Sequence, residues 1–134
     1  MADRPSKLLA ARRARGTAAR LAGRRQEVLA AIWLMAKGYR ILGFRLKTPQ
    51  GEIDLLVQRG RTLAVVEVKS RTTVAAALEA VTASQRDRLR RAGRSLVAKT
   101  PRLYGMNLRL DLIALAPRAW PRHIPDAWRD DAVF

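Results

Sequence analysis

The spacing of apolar residues predicts a helix near the start of the chain. Apolar side chains recur at three- and four-residue steps from 17 to 37, and Gly38 is expected to end the helix. We expect its inward stripe to consist of Leu21, Val28, Ile32, Met35 and Ala36. The preceding segment, 1–16, carries basic residues among alanines and predicts a flexible basic arm, although a mitochondrial transit peptide has a similar composition.

The rest of the chain changes from a strand pattern to a helix pattern and back. The predicted elements are strands at 39–47, 51–58 and 62–69, a helical turn at 74–80, a helix at 82–99 and a strand at 106–116. The second helix is expected to place Leu89, Ala92 and Leu96 inward and to turn four arginines to solvent: Arg86, Arg90, Arg91 and Arg94. The proline-rich tail is expected to wrap the surface and dock its tryptophans. The order α-β-β-β-α-β predicts an α/β fold, with a mixed sheet covered by helices.

The second and third strands interrupt their apolar pattern with charged residues. Gly60 and Arg61 suit a two-residue type II′ turn, which places Asp54 opposite Glu67 and Glu52 opposite Lys69. Side chains directly opposite each other have Cβ atoms about 4.5–5.5 Å apart. A turn at 59–60 would make them diagonal neighbours on the same face, whereas a three-residue loop would separate them.

Two adjacent carboxylates repel each other, and a hard divalent cation with oxygen ligands relieves that repulsion. With the ammonium group of Lys69 nearby, Asp54 and Glu67 are therefore candidates for a Mg²⁺-dependent site that hydrolyses phosphodiesters. The alternative is a structural ladder of ion pairs, in which Glu52 pairs with Lys69 and Asp54 pairs with a nearby arginine. The residues alone leave both interpretations open.

Composition and charge limit the classes of partner that the chain is expected to bind. The chain of 134 residues has a formal net charge of +16, which attracts polyanions and makes nucleic acid the leading partner, ahead of an anionic membrane surface. It contains no cysteine, which excludes disulfides and thiolate ligands. No apolar run approaches the roughly 18–20 residues of a membrane span. We expect a cytoplasmic protein with one domain at 17–134 after the basic arm.

The motifs "GEIDLLV" and "LAVVEVKSR" resemble the YraN family of predicted endonucleases. That family is similar to a branch of the PD-(D/E)xK nuclease superfamily near the Holliday-junction resolvases. The resemblance runs from about Gly23 to Trp128 and includes "LRLDLIAL" and "HIPDAW". It implies a restriction-endonuclease-like fold with a three-layer core.

The resemblance also implies roles for individual residues. Asp54 and Glu67 match metal ligands, the Val68 carbonyl would be a further ligand, and Lys69 matches the catalytic lysine. Glu27 matches a glutamate of the first helix that helps to hold metal or water, although its position alone favours a solvated residue paired with Arg24. Gln26, Ile53 and Gln85 depart from the glycine, proline and lysine of the family or superfamily.

These observations predict a DNA endonuclease that uses Mg²⁺ or Mn²⁺, with branched or structured DNA as a candidate substrate and RNA as an alternative. Branched DNA would call for a homodimer, since two strands must be cut. The candidate DNA-binding residues are Arg12, Arg13, Arg71, Gln85, Arg86 and Arg90. Gln85 also suits a helix-capping box with Thr82. Asp111 is expected to pair with an arginine, and His123 to serve in packing or at the surface. Two other functions stay open: a nucleic-acid-binding module without catalysis, and a structural partner in an assembly.

Overall fold

A computed structural model describes residues 23–131, which form a mixed five-stranded sheet with helices around it. The basic arm at 1–16, with Arg12 and Arg13, lies outside the described residues. The elements are α1 (23–36), β1 (Arg40–Thr48), β2 (Gly51–Arg59), β3 (Thr62–Ser70), α2 (Val74–Glu79), α3 (Ala83–Lys99), a 3₁₀ turn (Pro101–Leu103), β4 (Asn107–Leu115) and β5 (Arg122–Ile124). None of the described helices is long and apolar enough to cross a membrane.

The strands lie in the order β1-β2-β3-β4-β5, and all neighbours are antiparallel except β3 and β4. The crossover between these two parallel strands contains α2 and α3. One core contains α1 residues and one side of the sheet, including Leu34, Leu55 and Val66. A second core contains α3 residues such as Leu89 and Ala92 with other sheet residues. The predicted three-layer α/β architecture is therefore confirmed.

The first helix confirms its predicted end but not its predicted inward face. At Gly38, whose φ is +90°, the Tyr39 amide donates to the Leu34 carbonyl at 3.0 Å, which closes the helix end. The buried side chains are those of Glu27, Ala30, Ala31 and Leu34, whereas Val28, Ile32 and Met35 are about half exposed. The stripe predicted within 28–36 was wrong because this segment contains no charged residue, so periodicity could not choose between two apolar stripes. Leu21 and the predicted helix start at 17 lie outside the described residues.

The second helix and the tail also differ from expectation. Arg90 is only 7% exposed, so its predicted orientation toward solvent was wrong. Its guanidinium donates to the Asp131 carboxylate at 2.7 Å and to the Trp128 carbonyl at 3.2 Å, and these partners allow its burial. The tail adds the unpredicted strand β5 and packs Trp128 against the core, but it leaves Trp120 79% exposed.

The hairpin of β2 and β3 has the predicted register. Arg59 pairs with Thr62, and the pairing continues to Leu55 with Val66. Gly60, at the first central position of the turn, has a φ of +59°, which favours glycine. The turn therefore fixes which charged side chains reach the same end of the hairpin.

Candidate active site

The sheet opens between β2 and β3 at the position of the acidic residues. The described pairs of β2 with β3 end at Leu55 and Val66, although β2 pairs with β1 as far as Gly51 and β3 pairs with β4 as far as Ser70. Within the opening, which we call the fork, the Val68 amide donates to Asp54 Oδ2 at 3.0 Å. Where the backbone pairing of the hairpin ends, a side-chain oxygen of Asp54 therefore accepts the hydrogen bond of a backbone amide.

A cavity of about 170 Å³ lies between the fork and α3. The strand residues Glu52, Asp54 and Glu67 line one side of this cavity, and the α3 residues Gln85 and Arg88 line another. The expectation that Asp54 and Glu67 face the same space is therefore met, and we call these two residues the acid pair. Across the cavity, the acid pair faces residues from the first half of α3, which are distant from it in the sequence.

Lys69 lies beside the acid pair and contacts Glu67. Its Nζ is 3.3 Å from Glu67 Oε1, and both side chains are largely buried, with 23% and 14% of their surfaces exposed. This ion pair differs from the predicted ladder, in which Lys69 would pair with Glu52. The Asp54 carboxylate likewise receives the Val68 amide. The specific pairs of the structural alternative are thus not the ones observed.

Glu27 reaches the same region from α1. It is 8% exposed and accepts hydrogen bonds from Arg45 Nε at 3.0 Å and 2.8 Å, one to each carboxylate oxygen. The charge of Glu27 contributes to the raised pKa of Asp54, after the larger effect of burial. The alternative interpretation of Glu27, a solvated residue paired with Arg24, is not what the structure shows: Glu27 pairs with Arg45, and this bond joins the first helix to the sheet.

Arg45 is a residue of this region that sequence reasoning missed. Its backbone has a φ of +47°, which is uncommon for a residue other than glycine. The hydrogen bond with Glu27 is the main cause that raises its pKa, and the charges of Glu52 and Asp54 add to it. A signal was available, because Thr48 pairs with Gly51, and counting back from that turn puts Arg45 opposite Asp54.

Negative charge on the acid pair is unfavourable in the folded protein, as the raised pKa values of both carboxyls show. Burial, followed by the negative charge of Asp54, raises the pKa of Glu67 to about 7. Burial also raises the pKa of Asp54, although the bond from the Val68 amide opposes this effect. A buried carboxyl close to a second carboxyl favours the protonated state, and a bound cation would reverse this preference.

The donor set fits Mg²⁺ better than a metal enclosed entirely by protein. Within residues 23–131, no group of three or more His, Cys, Asp or Glu side chains could hold a metal ion. Mg²⁺, however, prefers oxygen ligands, keeps several waters and is commonly bound by one or two carboxylates. Asp54 and Glu67 supply two such groups beside an open cavity, whereas Glu27 is held by Arg45.

The other candidate residues are dispersed. Gln85 lines the cavity and also completes the capping box with Thr82. Its position therefore agrees both with a role in helix capping and with a contact to nucleic acid. Arg71 follows β3 and is exposed. Arg86 donates to both oxygens of Asp131 at 2.6 Å and 2.9 Å, next to the buried Arg90. DNA contacts by these residues, and by Arg12 and Arg13, stay predictions.

Asp111 belongs to a separate polar network on the α1 side of the sheet. It is fully buried and accepts two bonds from Arg109, both at 2.8 Å, which confirms the expected pairing with an arginine. His123 Nε2 lies 2.8 Å from the same carboxylate, and the Asp126 amide donates to Asp111 Oδ1 at 3.0 Å. Arg109 also donates to the Tyr39 hydroxyl at 2.6 Å. His123, whose side chain is 1% exposed, is therefore a packing residue.

Fold and cavity together define an α/β protein with an acidic cavity at the fork of its sheet. Residues 26–115 match the model of UPF0102, an uncharacterised protein family. A UPF0102 protein of Caulobacter vibrioides (strain NA1000 / CB15N) is 67% identical over 117 residues, which cover 87% of this chain and 94% of that protein. A second, from Parvibaculum lavamentivorans, is 52% identical over 116 residues, with 87% of each chain covered. The chain therefore belongs to the UPF0102 family.

Proposed function

We propose that this protein is a Mg²⁺-dependent endonuclease that hydrolyses phosphodiester bonds of DNA. The observation that carries the proposal is the acid pair, two largely buried carboxyls of raised pKa beside one cavity, with the Lys69 ammonium 3.3 Å from Glu67. Such a group of residues is costly for folding alone, and it becomes favourable when a cation and a phosphate bind.

The residues would divide the chemistry among them. Asp54 and Glu67 would hold the metal, and the Val68 carbonyl is a further ligand implied by the family resemblance. Magnesium or manganese would polarise the phosphoryl oxygen and lower the pKa of a bound water. The Lys69 ammonium would stabilise negative charge that develops on the phosphate. Glu27, fixed by Arg45, would act as a positioning residue for water or metal.

Charge and resemblance support a nucleic acid as the substrate. A net charge of +16 favours the encounter with a polyanion, and each neutralised phosphate releases counterions. The resemblance to the YraN family suggests DNA with branches or other structure, with RNA as an alternative substrate. A homodimer would supply the second site needed to cut both strands of a branch. We place this activity in the cytoplasm.

A specific observation favours the second candidate, a nucleic-acid-binding module without catalysis. Lys69 pairs with Glu67, and Arg45 pairs with Glu27, so two of the acids already have cationic partners. If these pairs persisted on DNA, the site would be electrostatically complete without metal. The presence or absence of metal-dependent cleavage separates the two functions.

The test is cleavage of linear, flapped and four-way DNA, and of a single-stranded RNA, with Mg²⁺, Mn²⁺, Ca²⁺ or EDTA. We expect cleavage with Mg²⁺ or Mn²⁺, little with Ca²⁺ and none with EDTA. Glu67→Gln and Lys69→Gln should each lower the rate by at least about a hundredfold, because removing one stabilising group of this kind costs about 10²–10³. The exposed residues Glu79 and Lys99 provide the matched controls Glu79→Gln and Lys99→Gln.

Binding measurements make the outcome specific. Glu67→Gln should keep or increase DNA affinity, since a negative charge near the phosphate is lost. Undiminished cleavage by both site variants would assign the activity to another site or to a contaminant. If the wild type cut none of the substrates, the binding module would replace the endonuclease as the function.

A further inference from the structure

We propose that Trp120 and the groove beside it bind an unstacked base of single-stranded nucleic acid. Trp120 is 79% exposed, more than any of the other large hydrophobic residues at the surface of the described chain. Exposing an indole ring costs hydrophobic free energy, so such a ring in a protein with well-buried cores points to a ligand.

The ring is held in place by a second tryptophan. Trp33 of α1 stacks on Trp120, with ring centroids 5.8 Å apart and an interplanar angle of 27°. Trp33 is itself partly buried and packs against the core that contains α1. Trp120 therefore rests on a supported ring while most of its surface faces solvent. A rigid, exposed aromatic ring is the platform on which single-stranded nucleic acids stack their bases.

The groove beside Trp120 has a volume of about 450 Å³. Thr72, Thr73 and Val74 line it on the side of α2. The small residues Ala114, Ala116 and Ala119 line it on the side of β4 and the turn that follows. Small side chains leave room for a planar group next to the indole, and the two threonines add hydroxyl groups that can bond to a base or a phosphate.

The charge around the groove selects an anionic ligand. The two segments that form it, 70–76 and 114–122, contain Arg71, Arg118 and Arg122 and no acidic residue. Arg122 lines the groove directly. Aromatic stacking combined with cations is the combination that binds single strands with little dependence on sequence. An uncharged apolar peptide would use the ring but gain nothing from the arginines.

The groove lies at the same end of β3 as the acid pair. The Arg71 amide donates to the Leu115 carbonyl at 3.0 Å, so the ends of β3 and β4 run together into the groove. Thr72 is three residues beyond Lys69, so their Cα atoms are at most about 11 Å apart. Because Lys69 contacts Glu67 of the acid pair, the groove and the candidate site lie at the same end of the sheet.

This inference rests on the proposed function, because it names the form of nucleic acid that reaches the acidic cavity. Duplex DNA keeps its bases stacked inside the helix and offers none to the ring. Flaps, loops and the unpaired strands near branches do offer one. Trp120 would thus favour substrates with an unpaired segment beside the bond that is cut.

The experiment measures affinity for a fluorescent 15-nucleotide single strand and for the matching duplex, in EDTA, by anisotropy. The variants are Trp120→Ala, Trp120→Phe and Arg122→Gln. Tyr104→Ala is the matched control, because Tyr104 is also exposed, at 58%, but lies outside the groove. Thermal unfolding of each variant verifies the fold, which an exposed residue should leave unchanged.

We expect Trp120→Ala to weaken single-strand binding roughly tenfold, which is within the range measured for one stacked base, and to change duplex binding by less than about twofold. Trp120→Phe should retain most of the affinity. Arg122→Gln should reduce the salt slope by about one. Equal losses for single strand and duplex, or a loss in Tyr104→Ala as large as in Trp120→Ala, would overturn the platform.

Because EDTA removes catalysis from this assay, the two proposals fail separately. Cleavage by the wild type with no effect of Trp120→Ala on single-strand binding overturns the platform alone. Selective loss of single-strand binding in a protein that cleaves nothing supports the platform and removes the endonuclease.

Discussion

Asp54 and Asp111 lie in strands of the same sheet, yet their surroundings shift the pKa values of the two carboxyls in opposite directions. Burial raises the pKa of Asp54, and the charge of Glu27 adds to the effect. Burial would also raise the pKa of Asp111, but hydrogen bonds from His123, Arg109 and the Asp126 amide outweigh it and hold the pKa below its usual value. One aspartate is stabilised as an anion, and the other is not.

The difference lies in the number of donors that reach each carboxylate. Asp111 meets two nitrogens of Arg109, a ring nitrogen of His123 and one backbone amide. Asp54 accepts a hydrogen bond from the Val68 amide, and its other described side-chain partner is the Glu67 carboxyl, which can donate only while it keeps its proton. A fully bonded charge contributes to folding, whereas an incompletely bonded one is available to a ligand. Burial alone therefore does not distinguish a fully bonded aspartate from one that a ligand could still reach.

The largest expected effect is on stability, and it separates the two aspartates directly. Asp111→Asn should lower the free energy of unfolding by about 3–5 kcal/mol, because it leaves the Arg109 charge without its buried partner. Asp54→Asn should leave this free energy unchanged or raise it, since it removes repulsion within the acid pair. Urea unfolding followed by circular dichroism measures both. Equal losses in the two variants would show that the acid pair is structural.

The second expected effect is an opposite dependence of stability on pH. The pKa of Glu67 is about 7 in the folded protein, against 4.5 as its ordinary value. Between these values the unfolded chain has lost the proton that the folded protein keeps. The contribution of Glu67 to stability is therefore greatest below about pH 4.5 and falls, by on the order of 1–3 kcal/mol, as pH rises to about 7.

Glu67→Gln should abolish that decline, which urea unfolding from pH 4 to 8 would show. Asp111 acts in the opposite sense, because its lowered pKa stabilises the protein above its ordinary value of 3.8, and this contribution is lost as pH falls through the folded pKa. A wild-type curve that rises between pH 5 and 7 would contradict the assignment of Glu67.

The smallest effect is stabilisation by magnesium. At a concentration ten times its Kd, Mg²⁺ should add about 1.4 kcal/mol to the free energy of unfolding at pH 7.5. Scanning fluorimetry should show the corresponding rise in Tm for the wild type and for Glu79→Gln, which lies on α2 away from the cavity. Asp54→Asn and Glu67→Gln should lose it. An undiminished rise in these two variants would place the cation elsewhere.

The hairpin shows how far local sequence patterns reach. The turn at Gly60 set the register, and this register carried Asp54 and Glu67 to one end of the hairpin, as predicted. The capping box of Thr82 and Gln85 and the helix end at Gly38 were equally local and equally readable. Each depends on residues a few positions apart or on a turn whose geometry the residue types restrict.

The ion-pair partners of the arginines could not be predicted from local sequence patterns. Arg86, Arg90 and Arg91 look alike in the sequence, but the first two bond to Asp131 of the tail, whereas Arg91 pairs with Asp87 on the same helix. Arg45 became part of the candidate site because α1 brings Glu27 to it. A flexible cation bonds to whichever acid the fold places within reach, and that choice involves residues distant in the chain.

The sequence by itself determined the elements other than β5, the hairpin register and the pairing of two acids near one lysine, because each follows from periodicity and turn chemistry. Tertiary structure alone decided which apolar stripe of α1 faces the sheet, how the carboxylate of Asp111 is bonded, and why Trp128 is packed while Trp120 is exposed. These outcomes depend on shape and hydrogen bonding between elements far apart in the sequence. Periodicity gives the apolar faces of an element but not the neighbour that will cover them.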